Sequence, residues 1–327
     1  MAGKISASIQ NTLKWLVPLL LFFAIFYAFS EKKQEQLVVL HDDKSETEVI
    51  DELKERGYIS NSISYLITKI AVKFVANIES GAFVLHENMG PFSLLAALVS
   101  PEYKYVAVVE GMRKEEMAEV FATKLNWDEK EKVEFAEPTN ICILSGGEGY
   151  LFPGKYLVHK DDEPDDVKKL MENKMNEIVD EFTEGDKSST TNRILNMNQV
   201  LTIASLIQRE AAGKHDMKLI SGVIWNRIFN GMPLQIDATL QYAKGSEENG
   251  WWPPVEAEDK YIESPYNTYK IDGLPPGPIA NPGLAAIEAA LNPTDTKCLF
   301  YLHDRNRVIH CASTYEAHKR NVRYYLK

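Results

Sequence analysis

The order of apolar and polar positions changes character several times along the chain. From Trp15 to Phe29, a stretch of fifteen residues, no charge occurs, and Leu19-Leu20-Leu21-Phe22-Phe23 sits inside the run. As a helix this spans about 22 Å, short of the roughly 30 Å hydrocarbon core of a bilayer. Leu13 and the snorkelling stems of Lys14 and Lys32 extend it. The run passes straight into a charged linker from Glu31 to Glu35, so residues 13–30 read as an uncleaved membrane anchor. The alternatives are a buried helix or a signal peptide cleaved at Ala28-Phe29-Ser30. Lys4 and Lys14 balance Lys32 and Lys33 across the span, and orientation is left to the rest of the chain.

Beyond the linker, short apolar runs alternate with helical periods. Leu37–Leu40 predicts a strand, Ser45–Gly57 a helix with Val49, Ile50 and Leu53 on one face, and Ser62–Val75 a second helix. A strand at Gly81–Leu85, a helix at Pro91–Leu98, a strand at Tyr105–Val109 and a helix at Lys114–Lys124 follow. The acidic cluster Asp161 to Asp166 marks a helix start, because carboxylates favour a helix N-terminus, and Met171–Phe182 continues it. Glu184–Asn192 reads as a loop. The spacing predicts an α+β protein: an N-terminal membrane helix, a small α/β module with a connecting segment over residues 37–135, and a mixed α/β domain over 136–327. Residues 1–12 precede the anchor and 31–36 form the linker.

The C-terminal section holds most of the candidate chemistry. Over Asn198–Ala212, with Asn198 as N-cap, Val200, Ile203, Ala204, Ile207 and Ala211 form one apolar stripe. At about 100° per residue Glu210 falls beside that stripe, between Ile203 and Leu206, while Arg209 falls on the opposite, water-facing side. Burial raises a carboxyl pKa, which a general acid needs. Periodicity alone favours the blander reading, in which Glu210 sits at the rim and pairs with Lys214. On the next helix, Asp216–Asn230, Asn226 and Arg227 lie beside the stripe of Leu219, Ile220, Val223 and Ile224. From Leu234 to Gln241 the chain alternates strictly, which predicts a strand with Gln235, Asp237, Thr239 and Gln241 on its polar face. Ser264-Pro265-Tyr266-Asn267-Thr268-Tyr269 then precedes Gly273–Gly283, where four prolines and three glycines in eleven residues fix the backbone. Tyrosine faces with Asn and Thr between them suit a sugar as well as a buried corner. A helix at Leu284–Leu291 and a strand at Cys298–Leu302 close the pattern.

Composition narrows the function classes. A net charge of −11 and no basic cluster interleaved with aromatics exclude a nucleic-acid partner. Three cysteines without CxxC spacing, Cys142, Cys298 and Cys311, predict neither a disulfide framework nor a zinc site, and each reads as a small buried residue. No metal cluster or phosphate loop points to a cofactor.

Taken in order, Val109-Glu110-Gly111-Met112-Arg113-Lys114, Glu148-Gly149-Tyr150-Leu151-Phe152-Pro153 and Ala204–Ala211 resemble the YceG-like family of endolytic murein transglycosylases. So do Asn226-Arg227, Met232–Asp237 with Thr239, Tyr266–Tyr269, Gly273–Ile279 with Asn281-Pro282-Gly283, and His310, Ser313 and His318. The resemblance spans nearly all of the chain after the linker. It implies Glu210 as the catalytic acid/base, which reverses the reading from periodicity. It further implies a LysM-like module before the catalytic domain. The implied substrate contacts are Asn226, Gln235, Asp237, Thr239, Tyr266, Asn267, Thr268, Tyr269 and Asn281. Peptidoglycan glycan strands, the cytoplasmic membrane and peptidoglycan synthases are the implied partners, with the catalytic domain extracytoplasmic. The chain departs from the family pattern at Ala238, where a Pro is usual, and at Cys311-Ala312, where an aromatic is usual. Lys244–Asp259, with Trp251 and Trp252, reads as an insertion. The rival reading is a non-catalytic peptidoglycan-binding scaffold that keeps the anchor and module.

Overall fold

The computed structural model describes residues 35–40, 44–73, 78, 80–137, 147–185 and 196–326. The expected anchor over 13–30, Cys142 and most of the loop at 184–192 lie outside the described residues. Among the described residues no helix is long and apolar enough to cross a membrane. These residues form a mixed α+β protein of two compact units that divide between Lys104 and Tyr105.

The first unit contains β1 (Glu35–Leu40), α1 (Glu46–Glu55), α2 (Ser62–Ala71), β2 (Gly81–His86) and α3 (Pro91–Leu98). Strands β1 and β2 pair antiparallel, with Glu35 opposite His86 and Leu40 opposite Gly81. Helix α1 starts where expected because Ser45 and Glu48 form a reciprocal capping box. Its stripe Val49, Ile50 and Leu53 is buried with Val38, Phe83, Leu85, Leu94 and Leu98 in one core. Strand β3 (Tyr103–Val108) begins in this unit, where Tyr103 and Lys104 pair with Ala82 and Gly81.

The second unit carries two cores. One joins Val106 and Val108 of β3 to α4 (Lys114–Leu125), α5 (Glu129–Ala136), β4 (Gly154–His159) and the start of α6 (Pro164–Gly185). The rings of Phe121, Trp127 and Phe135 meet within it at 5.6–5.8 Å. The other core surrounds α7 (Met197–Glu210), which packs against α8 (Met217–Phe229), α9 (Asp237–Lys244) and α10 (Leu284–Leu291). Every residue of α7 from Val200 to Ile207 is buried. The polar ones are satisfied locally. Thr202 Oγ1 donates to Asn198 O at 2.6 Å, and Ser205 Oγ donates to Thr202 O while accepting from Ile279 N. A hairpin of β5 (Phe300–His303) and β6 (Ile309–Ala312), with Tyr301 opposite Cys311, precedes α11 (Tyr315–Tyr325).

Several local expectations are corrected. The N-cap of α7 is Asn196, whose side chain accepts from Gln199 N at 2.9 Å while Gln199 caps it in return. Asn198 instead donates to Pro276 O at 3.1 Å. Leu234–Gln241 is not a strand: Gln235 takes φ 52°, and helix α9 begins at Asp237. Among the described residues no strand lies alongside to pair it. Ile236 N is taken by Thr268 Oγ1, and Thr239 Oγ1 closes back on Ile236 O, so the helix satisfies the backbone that a lone strand would leave open. Thr239 is therefore fully buried rather than on a solvated polar face. Finally, Cys298 and Cys311 form a disulfide with Cα atoms 5.8 Å apart. The hairpin supplies a proximity that CxxC spacing would have supplied locally.

Candidate active site

Glu210 is the last residue of α7, and the chain turns to extended geometry at Ala211. A helix buried over two turns thus delivers its terminal carboxyl to a cleft of about 370 Å³. Tyr301 of β5 donates its hydroxyl to Glu210 Oε2 at 2.6 Å. The backbone N–H of Ala238, in the first turn of α9, lies near enough to favour the ionised form slightly. Burial pushes the Glu210 pKa up, the Tyr301 hydrogen bond opposes this, and nearby Asp237 adds to the rise. Burial likewise holds the Tyr301 phenol well above its ordinary value, with the Glu210 charge reinforcing it.

The neighbouring turn is held tightly. Asp216, almost fully buried, accepts from Ala212 N at 3.0 Å, Gly213 N at 3.3 Å and His303 Nε2 at 2.7 Å. His303 meets the edge of the Tyr301 ring at 6.0 Å, two residues along the same strand face. Arg209 does not face water as its helical angle suggested. Its guanidinium stacks on Trp252 at 3.6 Å and donates to Gly111 O. The stretch Lys244–Asp259 therefore supplies an aromatic lid for that cation.

Of the residues named from the sequence, Glu210, Gln235, Asp237 and Tyr269 line the cleft. Tyr269 donates to Asp237 Oδ1 at 2.6 Å, and Lys260 Nζ lies 5.0 Å from the centre of its ring. Burial first, then Asp237, raises the Tyr269 pKa. The left-handed backbone at Gln235 places an exposed side chain at the cleft wall.

The other named residues shape the walls. Asn226 donates to Thr296 O and Cys298 O, fixing the approach to β5. Asn267 donates to Lys260 O and Ile262 O and accepts from Tyr269 N, which sets the loop carrying Tyr269. Thr268 and Thr239 share a 2.9 Å hydrogen bond under α9. The Tyr266 ring packs against Tyr242 at 4.8 Å with the planes tilted by 51°. Asn281 lies apart, accepting from Gly149 N and Leu151 N and donating to Met112 O and Glu148 Oε1. Gly149 is required there: its φ is 88°, and a Cβ would meet Pro278 at 2.4 Å.

Sequence reasoning missed Tyr301 and His303 altogether. Their only trace was the apolar run Cys298–Leu302 that predicted a strand. Arg227 was noticed beside a stripe, and the structure gives it both a cleft position and a wall role. Its Nε donates to Leu299 O at 2.7 Å and its Nη1 to Pro233 O and Leu234 O. The same guanidinium thereby ties β5 to the turn before α9. Among the described residues no cluster of His, Cys, Asp and Glu has the geometry to hold a metal ion.

Known proteins resemble this chain over most of its length. The model of the YceG-like family matches residues 38–324. A Bacillus subtilis (strain 168) protein named endolytic murein transglycosylase is 30% identical over 280 residues, covering 79% of this chain and 76% of the relative. One of the same name from Streptococcus pneumoniae serotype 2 is 38% identical over 177 residues, covering 54% of this chain and 31% of the longer relative. The crystal structure of a YceG-like protein from Listeria monocytogenes superposes with a TM-score of 0.57 at 25% identity, covering 88% of this chain and 99% of that one. A family match over nearly the whole described length, with a relative at this identity and coverage, places the chain: it belongs to the YceG-like family.

Proposed function

We propose that this protein is an endolytic lytic transglycosylase of murein, with Glu210 as its single acid/base. The observation that carries the reading is one carboxyl group, raised in pKa by burial, delivered by a packed helix to a cleft and held there by Tyr301. The relatives named endolytic murein transglycosylase support the substrate class.

The bond cut is the β-1,4 link between N-acetylmuramic acid and N-acetylglucosamine. Glu210 protonates the leaving glycosidic oxygen. It then takes the proton of the muramic acid 6-hydroxyl as that oxygen closes on the anomeric carbon, leaving a 1,6-anhydro end. Because the nucleophile comes from the substrate, a second carboxylate to activate water is not needed, unlike in ordinary glycosidases. Positive charge developing on the sugar is steadied by the Tyr269–Asp237 pair and the Gln235 side chain at the cleft wall. Such cleavage inside a nascent strand ends its growth, which fits a partner peptidoglycan synthase. Residues 13–30 hold the protein in the cytoplasmic membrane with the cleft outside. The first unit acts as a LysM-like module that assists glycan binding without chemistry.

The test is Glu210→Gln, which keeps volume and removes the transferable proton. Release of anhydro-ended glycan, read by mass spectrometry on purified strands, should fall by about 10²–10⁴-fold or more. Thermal unfolding of the same sample should hold or rise slightly, because an amide at this site never ionises and so never carries the cost of a buried charge. Asp237→Asn should cost less than Glu210→Gln, since Asp237 steadies charge but transfers no proton. A folded Glu210→Gln protein cutting at the parental rate, or a product one water heavier, defeats the reading.

A further inference from the structure

The hydrogen bond between Tyr301 and Glu210 has a consequence for the proton itself. A neutral carboxyl has two oxygens that can carry the hydrogen, and only one can face the scissile bond. We propose that Tyr301 is the positioning residue that reserves Glu210 Oε2 as an acceptor, so that the transferable proton resides on Oε1. This inference rests on the reading of Glu210 as the acid/base.

The geometry supports it from both ends. At 2.6 Å the phenol oxygen and Oε2 are within the range of a strong O–H···O bond. If Glu210 instead donated to the phenol, the Tyr301 hydroxyl would need an acceptor of its own, and among the described residues Glu210 is its one hydrogen-bond partner. With Tyr301 as donor, the bond persists when Glu210 is ionised and becomes stronger. The carboxyl can then give a proton and take one back on the same oxygen without rotating. A one-carboxylate mechanism needs that economy of motion.

The phenol is itself fixed. Its strand is tied by Tyr301 opposite Cys311, by the Cys298–Cys311 disulfide, and by Arg227 Nε on Leu299 O. The His303 ring at its edge is anchored on buried Asp216. The charged and titratable groups around Glu210 are Asp237 on α9, Tyr269 in the following loop, Arg227 on α8 and His303 on β5. Arg209, adjacent on α7, is turned toward Trp252, and Asp216 acts on Tyr301. None of these donates a hydrogen bond to Oε2 in its place.

Tyr301→Phe tests the assignment, since it keeps the ring and its packing and removes only the hydroxyl. The expected result is a fall in kcat of about 10-fold or more with KM for glycan little changed, and an alkaline limb of the pH profile moved up by about one to two units. The shift is upward because the lost bond favoured the ionised form. A second readout does not need turnover: the side-chain carbon of ¹³C-labelled Glu210, assigned by its loss in Glu210→Gln, should titrate higher by the same amount. Site-specific 3-fluorotyrosine at position 301 keeps the fold and strengthens the donor, and should move that titration down. Unchanged titration and pH limb in both folded variants would overturn the proposal. If the titrations move as stated but the parent protein never cuts glycan, the Tyr301–Glu210 coupling stands and the proposed reaction fails.

Discussion

At the scale of single residues, Glu148 is a buried carboxyl apart from the cleft whose protonation bears on the fold. It is buried, its Oε1 accepts from Asn281 Nδ2 at 2.7 Å and Lys114 N at 3.2 Å, and its Oε2 has no partner among the described residues. Burial, then the nearby Glu115 charge, pushes its pKa from the ordinary 4.5 up to about 8. A carboxyl raised on folding favours the neutral form, so its stabilisation is complete below about pH 4.5 and is lost as pH rises through about 8. Within that window one proton gives a slope approaching about 1.4 kcal/mol per pH unit. Glu148→Gln should remove this component and equal or exceed the parent stability at pH 8, as read by urea unfolding across the window. A variant with the parental slope would contradict the burial argument. The motif Glu148-Gly149-Tyr150 was visible in the sequence, but what it does was not. Only the fold brings Asn281, more than a hundred residues later, onto Gly149 and Leu151.

At the scale of elements, close approach decides what periodicity cannot. Gly222 sits inside α8, where Ala is ordinarily better by up to about 1 kcal/mol. Here a Cβ would meet the backbone oxygen of Thr294 at 2.3 Å and the Thr296 methyl at 3.0 Å. Backbone cannot yield as a long side chain does, and Thr294 N is already bound to Lys218 O at 2.8 Å. Overpacking costs about 1–3 kcal/mol, so the clash outweighs propensity. Gly222→Ala should destabilise the second unit, measured as a lower unfolding midpoint. It should also weaken the cleft, because the same loop leads through Cys298 to Tyr301. A midpoint at or above the parent would refute this. The pattern at Leu234–Ala238 teaches the same lesson in reverse. Its alternation in burial is real, with Leu234, Ile236 and Ala238 inside and Gln235 and Asp237 outside. Yet period two over so few residues does not require a strand, and with no partner strand among the described residues the chain coils into α9.

For the whole molecule, the first unit has a core of its own, and each unit can respond to mutation separately. Leu53 is fully buried in that core. Leu53→Ala removes side-chain atoms and leaves a cavity, a change worth about 2–5 kcal/mol. Hydrogen exchange should quicken across residues 35–104 and remain unchanged around α7 and the β5–β6 hairpin. Equal loss of protection in both regions would show that they unfold as one.

The sequence alone determined what depends on neighbours within a turn or two. The capping pair at Ser45 and Glu48, the buried stripes of α1, α7 and α8, the start of α10 after Pro282-Gly283 and the placement of Glu210 beside an apolar stripe are all set by local spacing. Tertiary structure decided what depends on loop closure. Tyr301 reaches Glu210 across 91 residues, Cys298 meets Cys311 through a hairpin, and Arg209 turns from water to Trp252. Thr239, Thr268 and Asn267 hold the wall behind Tyr269. Periodicity records which face of a helix is apolar but not what packs on it. Those partners are chosen when the whole core closes and each buried polar group must find a donor or acceptor.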